Sequence, residues 1–224
     1  MTELILGNLN YSSWSIRAAL VARASGLDIR ERIEPLGFDE TKAKLIAETG
    51  SHTVPVLVTD GLVIRDSLAI TEWIAERADA GTVWPTDTGK RALARSVVAE
   101  MHSGFLQLRS KMGVDIRSRK PTPELTEDLQ KDIDRVLAIW HTCRDANHTD
   151  GPYLFGHWTA ADAFYAPVVT RFRTYGYEIT GEAKAYSDAV WGSRLLQDLR
   201  AQAEIEPWEI ELGALGPVRA WLRD

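Results

Sequence analysis

The chain has 224 residues, enough for one large domain or two of modest size. Apolar residues make up 45% of it, and its eight tryptophans indicate substantial packed or ligand-facing aromatic surface. The net charge of −6 argues against nucleic acid as the main partner, because phosphate binding needs a basic surface. It does not exclude small anions, which are bound locally.

The cysteine content and the lack of long apolar runs indicate where in the cell the protein is expected to work. A single cysteine, Cys143, excludes an intramolecular disulfide, and we expect it to be a small buried residue. The first residues lack the basic and apolar segments of a signal peptide, and no apolar run approaches the roughly 18 residues that span a bilayer. We therefore expect a cytoplasmic protein that does not enter a membrane.

The first predicted elements enclose a serine-rich loop. The apolar run Leu4–Leu6 predicts a buried strand, and residues 14–25 have helical spacing that ends at Gly26. Between them lies Tyr11–Arg17, so the helix begins on or near a serine. Such a serine is often an N-cap with a structural role alone. Its hydroxyl, beside unpaired N–H groups at the positive end of a helix, is also suited to holding an anion.

The rest of the first third alternates strands and helices. A polar strand near 29–33 precedes a short helix over 39–48, and a hairpin with strands 54–58 and 62–64 precedes a helix that opens at Asp66-Ser67. Asp-Gly between two β-rich runs is a strong hairpin signal. This order predicts an α/β domain over 1–80, with helices against a mixed four-stranded sheet.

Beyond a turn-rich linker at 81–89, the pattern is helical and we predict no strand. Apolar stripes predict one helix from Leu93 to Met112, one from Leu125 to Trp140, one that opens at the capping box Thr159–Asp162, and one over about 183–203. We therefore predict an all-helical bundle over 90–224.

Four motifs occur in order along essentially the whole chain: Ser12-Ser13-Trp14-Ser15, Ser51-His52-Thr53-Val54-Pro55, Asp66-Ser67 and residues 156–162. Together they resemble the motifs of the cytosolic glutathione transferase superfamily. Ser12-Ser13-Trp14-Ser15 resembles the serine motif of the theta, delta and zeta classes, and residues 51–55 (Ser-His-Thr-Val-Pro) resemble the loop that presents a cis-proline. Asp66-Ser67 resembles the acidic-residue-plus-serine pair, and residues 156–162 resemble the capping box and hydrophobic staple of the core helix. The resemblance implies a thioredoxin-like N-terminal domain that binds glutathione, an all-helical substrate-binding domain, and a homodimer with the helix from Leu93 to Met112 near the interface.

The resemblance implies that a serine hydroxyl stabilises the glutathione thiolate. A hydrogen bond from that hydroxyl lowers the pKa of the thiol from about 8.5 and so raises the fraction of the nucleophilic form. By its place in the motif Ser12 matches the family's catalytic serine, and Ser13 is the near competitor.

The resemblance also implies contacts for the rest of the tripeptide. Val54, before a cis Pro55, would pair with the cysteinyl amide like an added strand; a trans proline that only begins a strand is the alternative. Asp66 would bind the γ-glutamyl ammonium group and Ser67 its carboxylate, although this pair also suits an ordinary helix cap.

The remaining implied site residues lie on both sides of the predicted cleft. The glutathione contacts are completed by Trp14, Thr53 and, at the glycine carboxylate, His52 or Lys42. The electrophile-binding residues are Trp14, Met101, His102, Phe105 and Phe164. Core packing explains the apolar members equally well. His102 and Arg109 are polar on a largely apolar helix, so they either face solvent or tune the substrate pocket.

Other chemistries lack their motifs. The sequence has no G-x-S-x-G elbow, no nucleotide-binding glycine motif and no metal-ligand spacing among its five histidines, so we expect no metal. The leading hypothesis is a detoxifying transferase that conjugates glutathione or reduces peroxides. A zeta-like isomerase of maleylacetoacetate or maleylpyruvate type is an alternative, although Trp14 stands where that class typically has cysteine. A non-enzymatic, transferase-like stress or assembly protein is a third reading.

Overall fold

The computed structural model describes residues 1–213 and 216–223. Its first part contains β1 (Glu3–Leu6), α1 (Ser13–Ser25), β2 (Arg30–Ile33), α2 (Asp39–Thr49), β3 (Val56–Thr59), β4 (Leu62–Arg65) and α3 (Ser67–Ala75). The strands form one sheet in the order β2-β1-β3-β4, with β1 and β2 parallel and the other pairs antiparallel. The predicted mixed four-stranded sheet with helices against it is confirmed.

The composition of the strands explains their places in the sheet. Leu4 and Leu6 of β1 face the main core, whereas Ile5 packs on the opposite face with Leu45 and Val56. A strand buried on both faces is apolar throughout, and β1 is therefore central. The polar strand β2 lies at the edge, where charged side chains reach water.

The second part contains α4 (Thr88–Ser103), α5 (Leu106–Lys111), α6 (Glu127–Asp145), α7 (Ala160–Thr174), α8 (Gly181–Gly192) and α9 (Arg194–Ile205), with a short 3-10 turn at His148–Asp150. Nearly every residue of α7 is buried, and this helix packs against both α1 and α4. The predicted capping box at Thr159 and Asp162 is present. The helical character of this part is confirmed.

Several predicted boundaries were wrong. Helix α4 begins at Thr88, inside the predicted linker, because the Asp87 carboxylate accepts a hydrogen bond from Lys90 N at 2.8 Å. The single helix over 93–112 is in fact two, since Gly104 and Phe105 leave helical geometry between α4 and α5. Leu125 precedes α6 and is exposed.

The helix predicted over 183–203 is also two helices. Ser193 is extended, with φ −62° and ψ 141°, and its side chain accepts a hydrogen bond from Leu196 N at 3.2 Å. That interaction caps α9, so the chain turns between Gly192 and Arg194.

The expectation of no strand beyond the linker was wrong at the C-terminal end. Strands β5 (Trp208–Gly213) and β6 (Gly216–Leu222) form an antiparallel hairpin. The alternation Trp-Glu-Ile-Glu-Leu over residues 208–212 has the period of two that indicates a strand. Within residues 1–213 and 216–223, no helix combines the length and hydropathy that a membrane span requires.

Candidate functional site

Ser12 is the N-cap of α1. Its Oγ accepts a hydrogen bond from Ser15 N at 3.2 Å and donates one to Ser15 Oγ at 2.9 Å. Ser15 Oγ also accepts from Gly7 N at 2.8 Å, which ties the helix start to the end of β1. Because a hydroxyl hydrogen rotates freely, Ser12 can donate to a ligand while it still caps the helix. Ser13 is the first residue of α1 and, like Ser12, is 7% exposed.

The loop before Ser12 is held by distant parts of the chain. Glu206, which follows α9, accepts hydrogen bonds from Leu9 N at 2.6 Å and Asn10 N at 3.2 Å. Asn10 also donates to Asp115 at 3.0 Å. These positioning residues were missed, since no local pattern joins positions that lie 105 to 197 residues apart.

The start of α3 presents a second group of polar atoms. Asp66 caps the helix, accepting from Leu68 N at 2.8 Å, and has a φ of 80°. Ser67 is fully buried, and its Oγ has no hydrogen-bond partner among the described residues. A buried hydroxyl that is unpaired at a helix N-terminus suits an anionic ligand group.

His102 connects α3 to the serine helix. Its Nε2 lies 3.2 Å from Asp66 Oδ2, and its ring meets that of Trp14 edge-on, with centroids 5.0 Å apart. Burial lowers the pKa of His102 below 6.5, and the charges of Arg17 and Arg109 lower it further against the opposing effect of Asp66. At neutral pH the ring is therefore mostly uncharged, and its contact with Asp66 is not an ion pair.

Aromatic and cationic side chains meet beside this contact. The Arg17 guanidinium lies 4.7 Å from the centroid of the Trp14 ring and 5.3 Å from that of Phe164. Arg109 lies 4.6 Å from the Trp14 centroid. Trp14, His102 and Phe164, expected to share a site, are thus brought together. Arg17 was missed, although a charge within the apolar run after Ile16 is a signal that a partner is needed.

The other expected site residues are more scattered. Lys42, His52 and Thr53 are exposed, and the described contacts do not link them to Ser12 or Asp66. The Val54-Pro55 bond is cis.

Three of the apolar residues expected at the electrophile site, Met101, Phe105 and Phe164, lie in the core, and Phe164 is fully buried. Met101 is fully buried and Phe105 is 6% exposed.

Metal and cysteine chemistry find no support in the described residues. No group of three or more His, Cys, Asp or Glu side chains that could hold a metal ion occurs there. Cys143 is fully buried in α6, and this burial raises the pKa of its thiol to about 12. A thiol that stays protonated at neutral pH is not a nucleophile.

Both parts of the chain match family models. Residues 11–77 match the model described as glutathione S-transferase, N-terminal domain, and residues 123–224 match glutathione S-transferase, C-terminal domain. A probable maleylacetoacetate isomerase of Caenorhabditis elegans is 32% identical over 108 residues, 48% of this chain and 50% of that protein. Glutathione S-transferase D7 of Drosophila melanogaster is 32% identical over 96 residues, 42% of this chain and 43% of that protein. The chain thus spans about half the length of the curated relatives it matches.

Solved structures share the fold at low identity. A glutathione transferase homologue from Burkholderia with bound glutathione is 22% identical, with a TM-score of 0.66, and the match covers 92% of this chain and 99% of that one. A bacterial maleylpyruvate isomerase of the zeta class is 21% identical, with a TM-score of 0.67 and coverage of 91% and 99%. With two domain models matched in order and this fold, the chain belongs to the glutathione transferase superfamily.

Proposed function

We propose that the chain is a glutathione-dependent transferase in which the Ser12 hydroxyl stabilises the glutathione thiolate. The observation that carries this proposal is the position of Ser12, whose nearly buried hydroxyl lies at the N-terminus of α1. A hydroxyl donor and the helix N–H groups both favour a negatively charged sulfur. The thiolate then attacks an electrophilic atom of a small molecule, in conjugation or in peroxide reduction.

The start of α3 supports a place for the γ-glutamyl end of glutathione. In our proposal the Asp66 carboxylate binds the ammonium group, while the unpaired Ser67 hydroxyl and the first N–H groups of α3 bind the carboxylate. Val54 contributes its backbone to the cysteinyl segment, and Trp14 and Thr53 border the tripeptide. His52 or Lys42 meets the glycine carboxylate from the exposed side. The electrophile lies toward Trp14, His102 and Phe164.

Replacing Ser12 by alanine tests this proposal. We expect Ser12→Ala to lower kcat/KM with chlorodinitrobenzene by about 10²-fold, the usual cost of one donor to a developing or stabilised anion. The pKa of bound glutathione, read from the ultraviolet absorbance of the thiolate, should rise at the same time. Glutathione affinity by calorimetry should change by less than about threefold, since the other contacts persist.

Ser13→Ala is the matched control. It should keep both the thiol pKa and most of the activity. Activity lost in Ser13→Ala and kept in Ser12→Ala would transfer the role to Ser13. A wild-type chain that binds no glutathione would contradict every catalytic version of the proposal.

A second candidate is isomerisation of a maleyl-type substrate, with glutathione as a recycled cofactor. The two relatives with isomerase names favour it. Product analysis separates the two, because conjugation consumes glutathione in proportion to product and isomerisation leaves its amount unchanged. If glutathione binds but neither chemistry occurs, a non-enzymatic stress or assembly role gains support.

We further propose that the protein works in the cytoplasm as a homodimer, with α4 and α5 near the interface. Leu93 and Leu106 of these helices are large apolar residues with exposed surface. Sedimentation of the purified chain should give about twice the mass of the 25.0 kDa monomer. A monomer at micromolar concentration would contradict this assembly.

A further inference from the structure

Arg17 is a buried charge without a partner. Its side chain is fully buried in α1, five residues after Ser12, and none of its three nitrogens has a hydrogen-bond partner among the described residues. A guanidinium carries five N–H donors and stays charged in proteins. Because removing such a charge from water is very unfavourable, buried arginines are normally paired with an acceptor.

Two more guanidinium groups lie close enough to Arg17 for their charges to act on it. Arg171 of α7 is 3% exposed and donates to the carbonyl of Met112 at 2.6 Å, but its Nη1 has no partner among the described residues. Among the described residues, the hydrogen bonds of Arg109 of α5 are long, at 3.4 and 3.5 Å, and go to backbone carbonyls. In the described part of the chain, no carboxylate forms an ion pair with Arg17, Arg109 or Arg171. We call these three residues the guanidinium cluster.

Charges within the guanidinium cluster lower the pKa values of Arg17 and Arg171. Burial lowers the pKa of Arg17 well below its usual range, and the charges of Arg171 and then Arg109 lower it further. Burial and the charge of Arg109 lower the pKa of Arg171 to about 9. Because an arginine guanidinium stays charged in proteins, the cluster concentrates positive charge, and the Asp66 carboxylate only partly offsets it at Arg17.

Packing alone does not account for this arrangement. The faces of Trp14 and Phe164 attract the Arg17 guanidinium, but an aromatic face only partly replaces an anionic acceptor. A methionine or leucine would fill the same space without the desolvation cost or the repulsion between like charges. The cluster is therefore expected to serve a ligand rather than the stability of the free chain.

We propose that the guanidinium cluster binds a carboxylate, or a comparable anionic group, of the electrophilic substrate. The proposal rests on the proposed function and specifies its substrate class. Trp14, two residues after Ser12, contacts both Arg17 and Arg109, so an anion held by the cluster lies close to the sulfur position beside Ser12. Arg109 is partly exposed whereas Arg17 and Arg171 are buried, so the anion would contact Arg109 from the solvent side. Arginine suits this role because its planar fork matches a carboxylate.

Two glutathione conjugates of similar length test the proposal. S-hexylglutathione carries a neutral tail, whereas S-(carboxypentyl)glutathione ends in a carboxylate at a similar distance from sulfur. By calorimetry on the full chain at pH 7, we expect the carboxylated conjugate to bind at least about tenfold more tightly. Binding of the neutral conjugate checks the glutathione site independently.

Substitutions in the cluster should remove this preference. In Arg17→Met and Arg171→Met we expect the affinity ratio to fall close to one, while affinity for S-hexylglutathione changes by less than about threefold. Arg17→Met should also melt at a temperature equal to or above that of the wild type, because it removes an uncompensated buried charge. A purely structural arginine would behave in the opposite way, with lower stability and an unchanged ratio.

The same helices supply matched controls. Arg23 of α1 pairs with Glu31 at 2.6 Å, and Arg173 of α7 pairs with Asp188 at 2.5 Å. Arg23→Met and Arg173→Met should therefore keep the wild-type preference. If a core variant fails to fold, Arg109→Gln gives the same readout, since that residue is only partly buried.

Three outcomes would overturn the proposal, and they can be told apart. Equal wild-type affinity for both conjugates would reject an anion site and leave the proposed function intact. Equal losses for both conjugates in folded cluster variants would assign the arginines to glutathione itself. Failure of the wild type to bind either conjugate or glutathione would reject the proposed function together with this inference.

Discussion

Among single residues, His102 shows how charge is arranged around the candidate site. Its Nε2 lies 3.2 Å from Asp66 Oδ2, and this contact would become an ion pair if the ring gained a proton. Burial and the nearby arginines hold the pKa of His102 below 6.5, so at neutral pH the ring does not compete strongly for the Asp66 carboxylate. That carboxylate therefore keeps its charge available for the ammonium group of a ligand.

The pH dependence of glutathione binding tests this arrangement. As the pH falls from 7 to 5, protonated His102 should pair with Asp66 and repel the γ-glutamyl ammonium group. Affinity should fall about threefold in the wild type, and less in His102→Gln, which cannot gain the charge. Calorimetry in buffers between pH 5 and pH 7 measures the glutathione affinity of both proteins.

His141→Gln is the control for this prediction, because His141 is exposed and lies 3.5 Å from Glu182, away from the site. The glutathione affinity of His141→Gln should fall between pH 7 and pH 5 as much as that of the wild type. Parallel loss of affinity in wild type and His102→Gln would show that another group controls the pH dependence.

Among the elements, the break between α4 and α5 positions Arg109. Phe105 has a φ of 59°, a left-handed conformation that a bulky residue rarely adopts. A Cβ at Gly104 would lie 2.8 Å from the carbonyl oxygen of Glu100, so this turn requires glycine. If α4 and α5 formed one continuous helix, Arg109 would point in another direction. The contact between Arg109 and Trp14 therefore depends on the break at Gly104 and Phe105.

Helix α7 depends on its buried cap. Asp162 accepts hydrogen bonds from Leu154 N at 3.0 Å, Thr159 N at 2.8 Å and Thr159 Oγ1 at 3.1 Å. Asp162→Ala leaves these donors unpaired in the interior, and we expect a loss of about 3 kcal/mol or more in the free energy of unfolding. Asp87→Ala, at the exposed cap of α4, should cost only about 1 kcal/mol. Urea denaturation of both variants measures these losses in the free energy of unfolding. Equal losses would contradict the prediction.

The contribution of the Asp162 cap to stability should depend on pH. Burial raises the pKa of Asp162 to about 6, although the hydrogen bonds from Leu154 and Thr159 act in the opposite direction. A carboxyl with a raised pKa binds its proton more tightly in the folded state, so its contribution to stability falls as the pH rises through this range. The stability difference between wild type and Asp162→Ala should therefore narrow from pH 4 to pH 7. A difference that widens would show that the donors hold the carboxylate ionised.

Across the whole molecule, the C-terminal segment holds the loop that carries Ser12. Arg117 donates to the carbonyls of Glu206 at 2.7 Å and Trp208 at 2.8 Å, and to the Tyr11 hydroxyl at 3.2 Å. Glu206 in turn accepts from the loop backbone at Leu9 and Asn10. The serine loop, the segment after α5 and residues 206–208 are therefore joined by hydrogen bonds.

Removing the Glu206 carboxylate tests this connection. Glu206→Ala leaves two backbone N–H groups without their acceptor, and we expect a loss of about 2 to 3 kcal/mol in the free energy of unfolding. Amide hydrogen exchange over residues 8–12 should become faster, because local opening no longer breaks these bonds. Glu204→Ala, at an exposed position two residues earlier, is the control and should leave both unchanged. Similar exchange in the two variants would show that the loop is held without Glu206.

Much of the fold could be predicted because it depends on local interactions. The apolar run of β1, the Asp60-Gly61 turn and the caps at Ser12 and Thr159 each act within a few residues. The same holds for Ser12 and Asp66, whose places at helix starts follow from their neighbours in sequence. The resemblance to a known family extended these local signals to the whole chain.

By itself, therefore, the sequence determined the sheet, most helix starts and the serine at the head of α1. The tertiary structure alone decided where the long apolar stripe of α4 and α5 breaks, how the C-terminal segment reaches the serine loop, and which charges meet beside Trp14. Arg17 and Arg171 are more than 150 residues apart, and nothing in either segment records the other. Periodicity and capping are properties of one element, whereas an unpaired buried charge is defined only by everything packed around it.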